Sequence, residues 1–325
     1  MTNHAVSIVI PTFNGRHLLQ RHLPHVLNAS RHGDEVIVVD DASSDDTISW
    51  LKLEFNLKAI TEIPPLTSLP KNYTPVAESV GTAWYGKSKT NKGWTRIVLV
   101  VLNKNKRFAA AANIGVALAS HPLIFLLNND VSPSPTVLSH LIPYFNDSSV
   151  FGVGCHEYEV QQLNPDWLDE NKVMGEKLLD LEGAVESGKN VLFFDKGLYS
   201  HAKAPSLTTG TTGWVSGGSG LFSREIWLLL LGFDERFYPA YWEDIDLSFR
   251  ARQMGYGVLF DEQAVVFHQH ETTNSTVFGV AAIENISWKN ASKFILKNGS
   301  MVQKLLHYLW MPYWLWKRAR HAKSI

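Results

Sequence analysis

The stretch VSIVIPTFNGRHLLQRHLPHVLNASRHGDEVIVVDD, residues 6–41, contains two short apolar runs on either side of a segment with helical periodicity. The runs VSIVI and VIVVD are rich in β-branched residues and are bounded by polar, turn-forming residues, as buried strands are. Between them the apolar residues recur at the spacing of one helix face: Leu18, Leu19, Leu23, Val26 and Leu27. The stretch therefore predicts a β-α-β unit, with Pro24 as a local misfit inside the helix.

The same alternation continues along the chain. After the second strand, Ser43 and Ser44 predict a helix cap, and Asp45 and Asp46 suit the first helical turn, where the helix dipole favours acids. Further strands are predicted at 97–103, 123–127 and 264–267, and further helices at 109–119, from about 223, and at 243–254. Buried strands joined by helices predict an α/β, Rossmann-like fold with an open, mostly parallel sheet and flanking helices.

Two segments interrupt this pattern. Residues 61–95 are rich in Pro, Gly, Ser, Thr and Lys, and we interpret them as an inserted surface loop. Residues 161–213 are polar and irregular, with a helix predicted around 174–185, and form a second predicted insertion. We predict one domain over residues 1–270 that contains both insertions, and a C-terminal helical extension over residues 271–325.

The composition argues against some classes of function. The chain has 325 residues, with 30 Lys and Arg against 31 Asp and Glu, so the net charge is −1. A protein whose whole surface binds nucleic acid usually carries a strong positive excess, so we expect no nucleic-acid partner. The single cysteine, Cys155, excludes an intramolecular disulfide and suits a reducing compartment. The N-terminus does not have the pattern of a signal peptide, and the longest apolar runs are too short for a membrane span, so we expect a cytoplasmic protein.

The segment GTAWYGKS, residues 81–88, matches the pattern of a phosphate-binding loop. Such a loop must follow a buried strand and open a helix, so that the backbone N–H groups hold the phosphates. Here the flanking residues are polar, and Gly93 follows closely. A P-loop nucleotide hydrolase therefore stays a remote alternative.

Acidic residues follow two of the predicted strands. Asp40 and Asp41 end the second strand, and Asp130 follows the run LIFLLNN. Ligands bind beyond the carboxyl ends of the strands in such sheets, so all three carboxylates are predicted on one rim. Asp40 or Asp41 could accept hydrogen bonds from a nucleotide base or ribose, although capping of the next helix is the structural alternative. Asp130 suits Mg or Mn, and its structural alternative is an Asx turn.

A third acidic group begins the predicted helix YWEDIDLSFR. Glu243, Asp244 and Asp246 suit a helix start by capping and by dipole complementarity alone. Their setting favours a functional role over capping alone, because the glycine-rich turn SGGSG precedes them and the sequence HQH follows. His268 and His270 share one face of a strand, and imidazole is a common metal ligand.

Taken in order, these segments resemble the inverting family-two glycosyltransferases of the A-type (GT-A) fold, including bacterial rhamnosyltransferase-like members. The matching segments are SIVIPTFNG, EVIVVDDASSDDT, NKNKRFAAAANIG, IFLLNNDVSPSP, VSGGSGLFSRE, GFDERFYPAYWEDIDLSFRARQMGY and VVFHQH. They cover residues 6–55 and 97–270. Two elements depart from the family pattern: the D-x-D element reads NND, and Arg107 and Ala112 stand where Gly and Arg are usual.

The resemblance implies a role for each matching residue. Asp244 would be the general base, Asp130 and His268 the metal ligands, and His270 a second choice as a ligand of the metal or donor. The donor nucleotide would be held by Pro11, Thr12, Asn14, Asp40, Asp41, Asn113 and Asn129. The acceptor would be bound by Gly217, Gly218, Trp242 and Glu243. The implied cofactor is Mg or Mn.

The C-terminal segment carries the strongest charge asymmetry. Beyond Glu284 it has eight Lys and Arg residues and no acid, together with four tryptophans. Cations mixed with aromatic residues are typical of a helix on an anionic membrane surface, although packing on the domain or on another subunit is the simpler alternative. We therefore expect a peripheral protein on the inner face of the cell membrane, with a homo-oligomer as a further possibility.

The resemblance implies an inverting transferase that moves one sugar from a nucleoside-diphosphate sugar, dTDP-rhamnose or a UDP-sugar, to a hydroxyl group. The acceptor is expected to be a glycan, lipid-linked, in cell-surface polysaccharide synthesis. A processive synthase is disfavoured because the Q-x-x-R-W element is absent after the acidic pair. A non-catalytic module that binds a sugar nucleotide or a glycan is the main alternative.

Overall fold

The structure, a computed structural model, describes residues 4–60, 80–162, 184–269 and 280–321. The strands are, in chain order, β1 (Val6–Thr12), β2 (Glu35–Asp40), β3 (Lys58–Ile60), β4 (Val80–Thr90), β5 (Gly93–Leu102), β6 (Leu123–Leu127), β7 (Val131–Pro133), β8 (Val150–Glu159), β9 (Val185–Ser187), β10 (Asn190–Asp195), β11 (Leu198–Lys203), β12 (Gly210–Thr211), β13 (Ser219–Ser223) and β14 (Gly257–His268). The α-helices are α1 (Arg16–Ala29), α2 (Thr47–Glu54), α3 (Arg107–Leu118), α4 (Val137–Leu141), α5 (Arg224–Leu229), α6 (Glu243–Gln253), α7 (Val280–Asn298) and α8 (Met301–His321).

The strands form one large mixed sheet in the order β12-β14-β8-β13-β6-β1-β2-β5-β4-β3, and β7 and β9 pair with β14 and β8. At its centre β6, β1, β2 and β5 are all parallel, and β8 and β14 are parallel to one another. The remaining neighbours pair antiparallel. The α/β fold with a mostly parallel central sheet is therefore confirmed.

Helices cover both faces of this sheet. Ile8 and Ile10 of β1 pack with α1 residues such as Leu19, whereas the intervening Val9 packs with α3 residues such as Ile114. Alternate side chains of one strand thus enter two different cores, which explains why the central strands are apolar at every position. The strand predicted at 123–127 matches β6, and the other central strands match within a few residues.

The first predicted insertion is corrected in part. Of residues 61–95, the part from Val80 is not a loop, because it forms β4 and the start of β5, joined by a tight turn at Asn91–Lys92. The P-loop pattern at 81–88 lies inside β4, an antiparallel strand, with no helix after it. This geometry excludes a phosphate-binding loop there. Residues 61–79 lie outside the described part of the chain.

The second predicted insertion contains a separate two-stranded sheet, β10 and β11, linked by a turn at Lys196–Gly197. The helix predicted around 174–185 lies mostly outside the described residues, and Val185 itself begins β9. The turn packs directly on α8. A β-carbon on Gly197 would lie 2.5 Å from the carbonyl oxygen of Leu306 and 2.8 Å from the Cα of His307. Glycine at this position therefore allows the hairpin and α8 to meet.

Helix α7 is part of the core rather than a loose tail. Ala291, Phe294 and Ile295 are buried in one cluster with Trp242 and Ile245, which lie next to and within α6. The proposed division of the chain at residue 270 stays a prediction, but this core is built from residues on both sides of it. Among the described residues, no helix is long and apolar enough to cross a membrane.

Candidate active site

The buried carboxylate of Asp40 lies at the carboxyl end of β2. Its Oδ1 accepts a hydrogen bond from the backbone N–H of Ser43 at 2.8 Å, but no described residue donates to its Oδ2. Burial raises the pKa of Asp40, and the hydrogen bonds from Ser43 act against that rise. A fully buried oxygen without a donor is costly unless a ligand supplies one. Asp40 is therefore the acid at this rim that is available to bind a nucleotide.

Asp41 has a different role. Its two carboxylate oxygens accept hydrogen bonds from the backbone N–H groups of Lys106 at 2.7 Å and Arg107 at 2.8 Å. These groups belong to the N-terminus of α3, which a carboxylate stabilises both by capping and by charge. The hydrogen bonds make Asp41 a cap of α3, and contact of Asp41 with the donor stays a prediction.

The loop after β1 supports the same rim. Asn14, in a left-handed conformation with φ of 48°, accepts hydrogen bonds at its Oδ1 from the N–H of Ser44 at 2.7 Å and of Asp45 at 3.3 Å. Thr12 Oγ1 accepts one from Asn129 Nδ2 at 2.8 Å, which joins the ends of β1 and β6. These side chains thus shape the rim around Asp40.

Two further predicted donor residues are buried within the fold. Pro11 lies inside β1 opposite Val39 and is buried. Asn113 of α3 donates from Nδ2 to the carbonyl of Phe233 at 2.9 Å, and its Oδ1 accepts from the N–H of Phe233 at 2.9 Å. This corrects the prediction for Asn113, because both amide atoms are used to join α3 to the loop before α6.

Asp130 and His268 lie together as predicted. His268 is opposite Val131 in the antiparallel pairing of β7 with β14, so Asp130 comes next to it. His268 Nε2 is 3.1 Å from Asp130 Oδ1, and both side chains are about nine-tenths buried. His270 lies outside the described residues.

Glu157 of β8 joins this pair and was not recognised from the sequence. Its Oε2 is 3.7 Å from His268 Nδ1, and its Oε1 accepts a short hydrogen bond from the hydroxyl of Ser219. Burial acts to lower the pKa of His268, but hydrogen bonds and charge interactions with Asp130 and Glu157 outweigh it and raise the pKa to about 10. The imidazole is therefore held between two carboxylates, one at each ring nitrogen, and without a metal it is a cation at neutral pH. Loss of the Nε2 proton would let that nitrogen serve as a metal ligand while Glu157 orients Nδ1.

The paired acids Glu243 and Asp244 begin α6. Asp244 is partly exposed, and its oxygens accept hydrogen bonds from the N–H of Ile245 at 2.8 Å and of Gly217 at 3.4 Å. Glu243 is buried, and no described residue donates to its Oε2. Burial raises the pKa of both, and their mutual charge raises that of Glu243 further. Because backbone donors favour the charged form of Asp244, its pKa rises less than that of Glu243, and Asp244 is the more readily ionised of the two acids.

Glu157 connects the acidic pair with Asp130 and His268. Its charge is among the causes that raise the pKa of Asp244, after burial, so both groups belong to one site. Gly217 and Gly218 line the same region. A β-carbon on Gly218 would lie 2.6 Å from Asn128 Nδ2, so the glycine lets the turn approach the end of β6.

Trp242 is buried in the core rather than exposed at the site. Only 3% of it is accessible, its ring packs on Phe294, and its indole N–H donates to Ser287 Oγ at 3.2 Å. This corrects the prediction that Trp242 binds the acceptor, because both contacts are with α7. Trp242 instead anchors the start of α6.

The turn before α6 is strained and is supported by α7. Tyr241 and Trp242 have φ of 72° and 80°, which costs about 1–3 kcal/mol for each such residue. The buried amide of Asn290, Nδ2, is 2.9 Å from the carbonyl oxygens of Phe237 and Ala240 and 3.0 Å from that of Tyr241. Asn290, which the sequence did not reveal, therefore holds the turn that presents the paired acids.

A second contact fixes α6 against α7. The carboxylate of Asp246, fully buried, accepts hydrogen bonds at 2.8 Å from Arg250 Nε, Lys297 Nζ and Asn298 Nδ2. Lys297 also contacts Asp234 at 2.6 Å. Asp246 is thus a structural acid, unlike its neighbours at the helix start.

The chain matches two family models. Residues 7–58 match the model described as glycosyl transferase family 2, and residues 89–291 match the model described as glycosyltransferase like family 2. It is 24% identical over 275 residues to a hyaluronan synthase of Pasteurella multocida, covering 81% of this chain but only 24% of that protein. It is 21% identical over 271 residues to the O-antigen chain rhamnosyltransferase RfbN of Salmonella typhimurium, covering 82% of this chain and 67% of that protein.

Two solved structures share the fold. GalNAc-T7 with UDP, GalNAc and Mn²⁺ superposes with a TM-score of 0.54 at 15% identity, covering 82% of this chain and 44% of that one. The mannosyltransferase PcManGT from Pyrobaculum calidifontis, in complex with GDP-Man and Mn²⁺, gives a TM-score of 0.53 at 17% identity, covering 99% and 74%. The GT-A type of α/β architecture is therefore confirmed.

Proposed function

Because the chain belongs to glycosyltransferase family 2, we propose that it transfers one sugar from a nucleoside-diphosphate sugar to a hydroxyl group of a glycan, with inversion at the anomeric carbon. The observation that carries the proposal is the pair of adjacent acids Glu243 and Asp244 at the start of α6, in one site with Asp130, Glu157 and His268. An ionised carboxylate with a raised pKa is a stronger base than an ordinary aspartate and is still charged near neutral pH.

In the proposed reaction, the acceptor hydroxyl oxygen forms a bond to the anomeric carbon while the bond from that carbon to the diphosphate oxygen breaks. Asp244 accepts the hydroxyl proton, and the nucleoside diphosphate leaves with the bonding electron pair. A single displacement of this kind inverts the anomeric centre. Glu243, with an unpaired buried oxygen, binds the acceptor hydroxyl by a hydrogen bond.

The donor nucleotide binds at the rim formed by β1 and β2. Asp40 Oδ2 accepts an N–H of the base, which gives this buried oxygen the donor that the described chain does not supply. Asn14, Thr12 and Asn129 keep the surrounding loops in place.

Asp130 and His268 suit a divalent cation, Mg or Mn. Asp130 Oδ1 and His268 Nε2 lie 3.1 Å apart, close enough to share an ion. Glu157 lies near the other ring nitrogen, Nδ1, and orients the imidazole. Among the described residues, no group of three or more acidic, histidine or cysteine side chains forms a metal cluster. When bound, the cation neutralises charge on the leaving diphosphate.

The sugar and acceptor are proposed from the similarity to RfbN, an O-antigen chain rhamnosyltransferase. We infer dTDP-rhamnose or a UDP-sugar as donor and a lipid-linked glycan as acceptor, in cell-surface polysaccharide synthesis on the inner face of the membrane. The two structural neighbours contain UDP and GDP-Man, so the base is left to the experiment.

The test is a mass-spectrometric screen of UDP-, dTDP- and GDP-sugars with Mg or Mn, scoring release of the nucleoside diphosphate from the donor. The wild type is compared with Asp130→Ala, and donor binding is measured by calorimetry. We expect one donor to be cleaved with metal and spared by Asp130→Ala. Donor binding without hydrolysis or transfer to any of a panel of lipid-linked glycans would contradict the proposal and favour a non-catalytic binding module.

A further inference from the structure

The outward side of α8 is almost entirely apolar. The exposed fractions of its side chains are large for this class of residue: Met301 81%, Val302 66%, Leu305 60%, Tyr308 61%, Leu309 66%, Leu315 52% and Trp316 55%. At about 100° per residue these seven positions fall on one stripe about 140° wide, whereas Trp310, 38% exposed, lies outside it. A surface helix of a soluble protein ordinarily exposes its polar face, whereas α8 exposes its apolar face.

The opposite side of α8 is fixed to the protein by polar contacts. His307 is buried with its Nδ1 3.0 Å from the carbonyl of Gly197, and the indole N–H of Trp314 donates to the carbonyl of Lys196 at 2.7 Å. Gln303 Nε2 donates to Tyr199 Oη at 3.0 Å, and Arg318 lies 4.1 Å from the ring centre of Trp288. The helix is therefore held with its apolar stripe facing away from the hairpin and α7.

The charges near the stripe are positive. On the helical wheel, at about 100° per residue, Lys304 lies about 20° beyond one edge of the stripe and Lys317 about 60° beyond the other. The sequence from Asn285 to the end has no acid to offset them. Interfaces between protein subunits are depleted of lysine, whereas an anionic lipid surface attracts it. Tyrosine and tryptophan suit the depth where lipid headgroups meet acyl chains.

We propose that α8 docks the protein on the surface of an anionic phospholipid bilayer. The helix lies in the plane of the membrane, with Leu305, Leu309 and Trp316 at the boundary between headgroups and acyl chains and with Lys304 and Lys317 at the phosphates. At 21 residues and about 1.5 Å per residue, it provides about 30 Å of continuous contact. The polar contacts to Gly197, Lys196 and Tyr199 keep this face outward before the membrane is met.

The experiment is flotation of the full chain with vesicles of phosphatidylcholine and phosphatidylglycerol in equal parts, and with vesicles of phosphatidylcholine alone. The variant Leu305→Glu/Leu309→Glu places two charges in the stripe. The matched control Leu53→Glu makes the same change on α2, where Leu53 is 82% exposed. A second variant, Lys304→Gln/Lys317→Gln, removes the two flanking cations. Circular dichroism and Tm confirm that each variant is folded, and no sugar donor is present.

We expect the wild type and Leu53→Glu to float with the anionic vesicles at low salt and to be released by high salt. Binding should weaken by about 30-fold in Lys304→Gln/Lys317→Gln and by more than about 100-fold in Leu305→Glu/Leu309→Glu. Equal binding by wild type and Leu305→Glu/Leu309→Glu would overturn the proposal. So would a wild type that ignores anionic vesicles and instead forms a dimer, seen by light scattering, that the same variant dissociates.

Discussion

The two halves of the active site satisfy their polar groups in different ways. In the donor half, at the ends of β1 and β2, Asn14 and Asp41 accept hydrogen bonds from nearby backbone N–H groups, so Asp40 Oδ2 is the one carboxylate oxygen there left without a described donor. In the transfer half, at the starts of α6 and β7, two adjacent carboxyl groups lie together, and desolvation of both, with the charge of Asp244 acting on Glu243, raises their pKa values. Burial raises the pKa values of Asp40 and Asp41 as well, but there backbone N–H groups satisfy most of the carboxylate oxygens.

The difference shows in what supports each half. Asn14 and Asp40 are held by loop residues that follow the same pair of strands. Asp244 accepts a hydrogen bond from the backbone N–H of Gly217, and the turn before it is held by a hydrogen bond from Asn290 of α7. Asn14 and Asp40 are therefore held by local contacts, whereas the turn before Asp244 is held by Asn290, a residue of a distant helix. Asp41 and Thr12 add longer-range contacts to the donor half, with the start of α3 and with Asn129.

The largest expected effect is on the transfer half. Asp244→Asn removes the proton acceptor while keeping the size of the side chain, so kcat should fall by about 10²- to 10⁴-fold, with donor affinity nearly unchanged. Steady-state kinetics and calorimetry measure the two quantities. The same change at the exposed hairpin acid, Asp195→Asn, serves as the control. Normal turnover by Asp244→Asn would show that Asp244 is not the general base.

The next effect tests the long-range support of the transfer half. Asn290→Ala removes an amide within 3.0 Å of three carbonyl oxygens, so the free energy of unfolding should fall by about 1–3 kcal/mol. Because the strained turn then loosens, kcat should fall by about tenfold while donor affinity is kept. Urea unfolding and kinetics measure both. Asn91→Ala, in the exposed β4–β5 turn, is the control. Equal kcat in the two variants would show that α7 does not support the transfer half.

Within the donor half, two adjacent acids should behave differently. Asp40→Asn replaces the oxygen that accepts from the base, so donor affinity should weaken by about tenfold with little change in stability. Asp41→Ala removes a helix cap, so the protein should lose about 1–2 kcal/mol of stability. Calorimetry and urea unfolding on both variants give the test. If Asp41→Ala weakened donor binding as much as Asp40→Asn, the roles drawn from the hydrogen bonds would be wrong.

The smallest effect is on the pH profile of the wild type. Burial raises the pKa of Asp244, and transfer needs its ionised form. The rate should therefore fall as the pH decreases through a value above the ordinary range of an aspartate, by at most about tenfold per pH unit. Donor binding, measured by calorimetry over the same pH range, should not follow this decline. A rate that stays flat down to the ordinary range of an aspartate would contradict the raised pKa.

Much of the fold was predictable because its signals are local. Strands buried on both faces, such as β6, read as continuous apolar runs and were placed closely. The sequence predicts a loop at β4, because its Gly, Lys and Ser residues are those of a partly exposed hairpin strand near the sheet edge. Its pairing with β5 becomes visible only in the structure.

Residue type alone predicts that Asp130 and His268 lie together, and the structure places these side chains 3.1 Å apart; their roles as ligands, and that of Asp244 as the base, stay predictions. The sequence left Asp40 and Asp41 equivalent, because the N–H groups that occupy Asp41 come from α3, 65 residues further on. Glu157 lies in a strand whose polar residues follow no motif, and Asn290 lies in a helix predicted only by its composition. Both act on residues that are distant in the sequence, so no local pattern could assign them.

The insertion of α7 into the core gives a rule for shortening this protein. A chain cut at residue 270 would lose Phe294 from its core and Asn290 and Lys297 from the partners of α6. It should aggregate on expression, because the exposed faces of α6 and the hairpin are apolar. A chain that ends just after Asn298 keeps these contacts and sheds the apolar stripe of α8, so it is the version to choose for crystallisation.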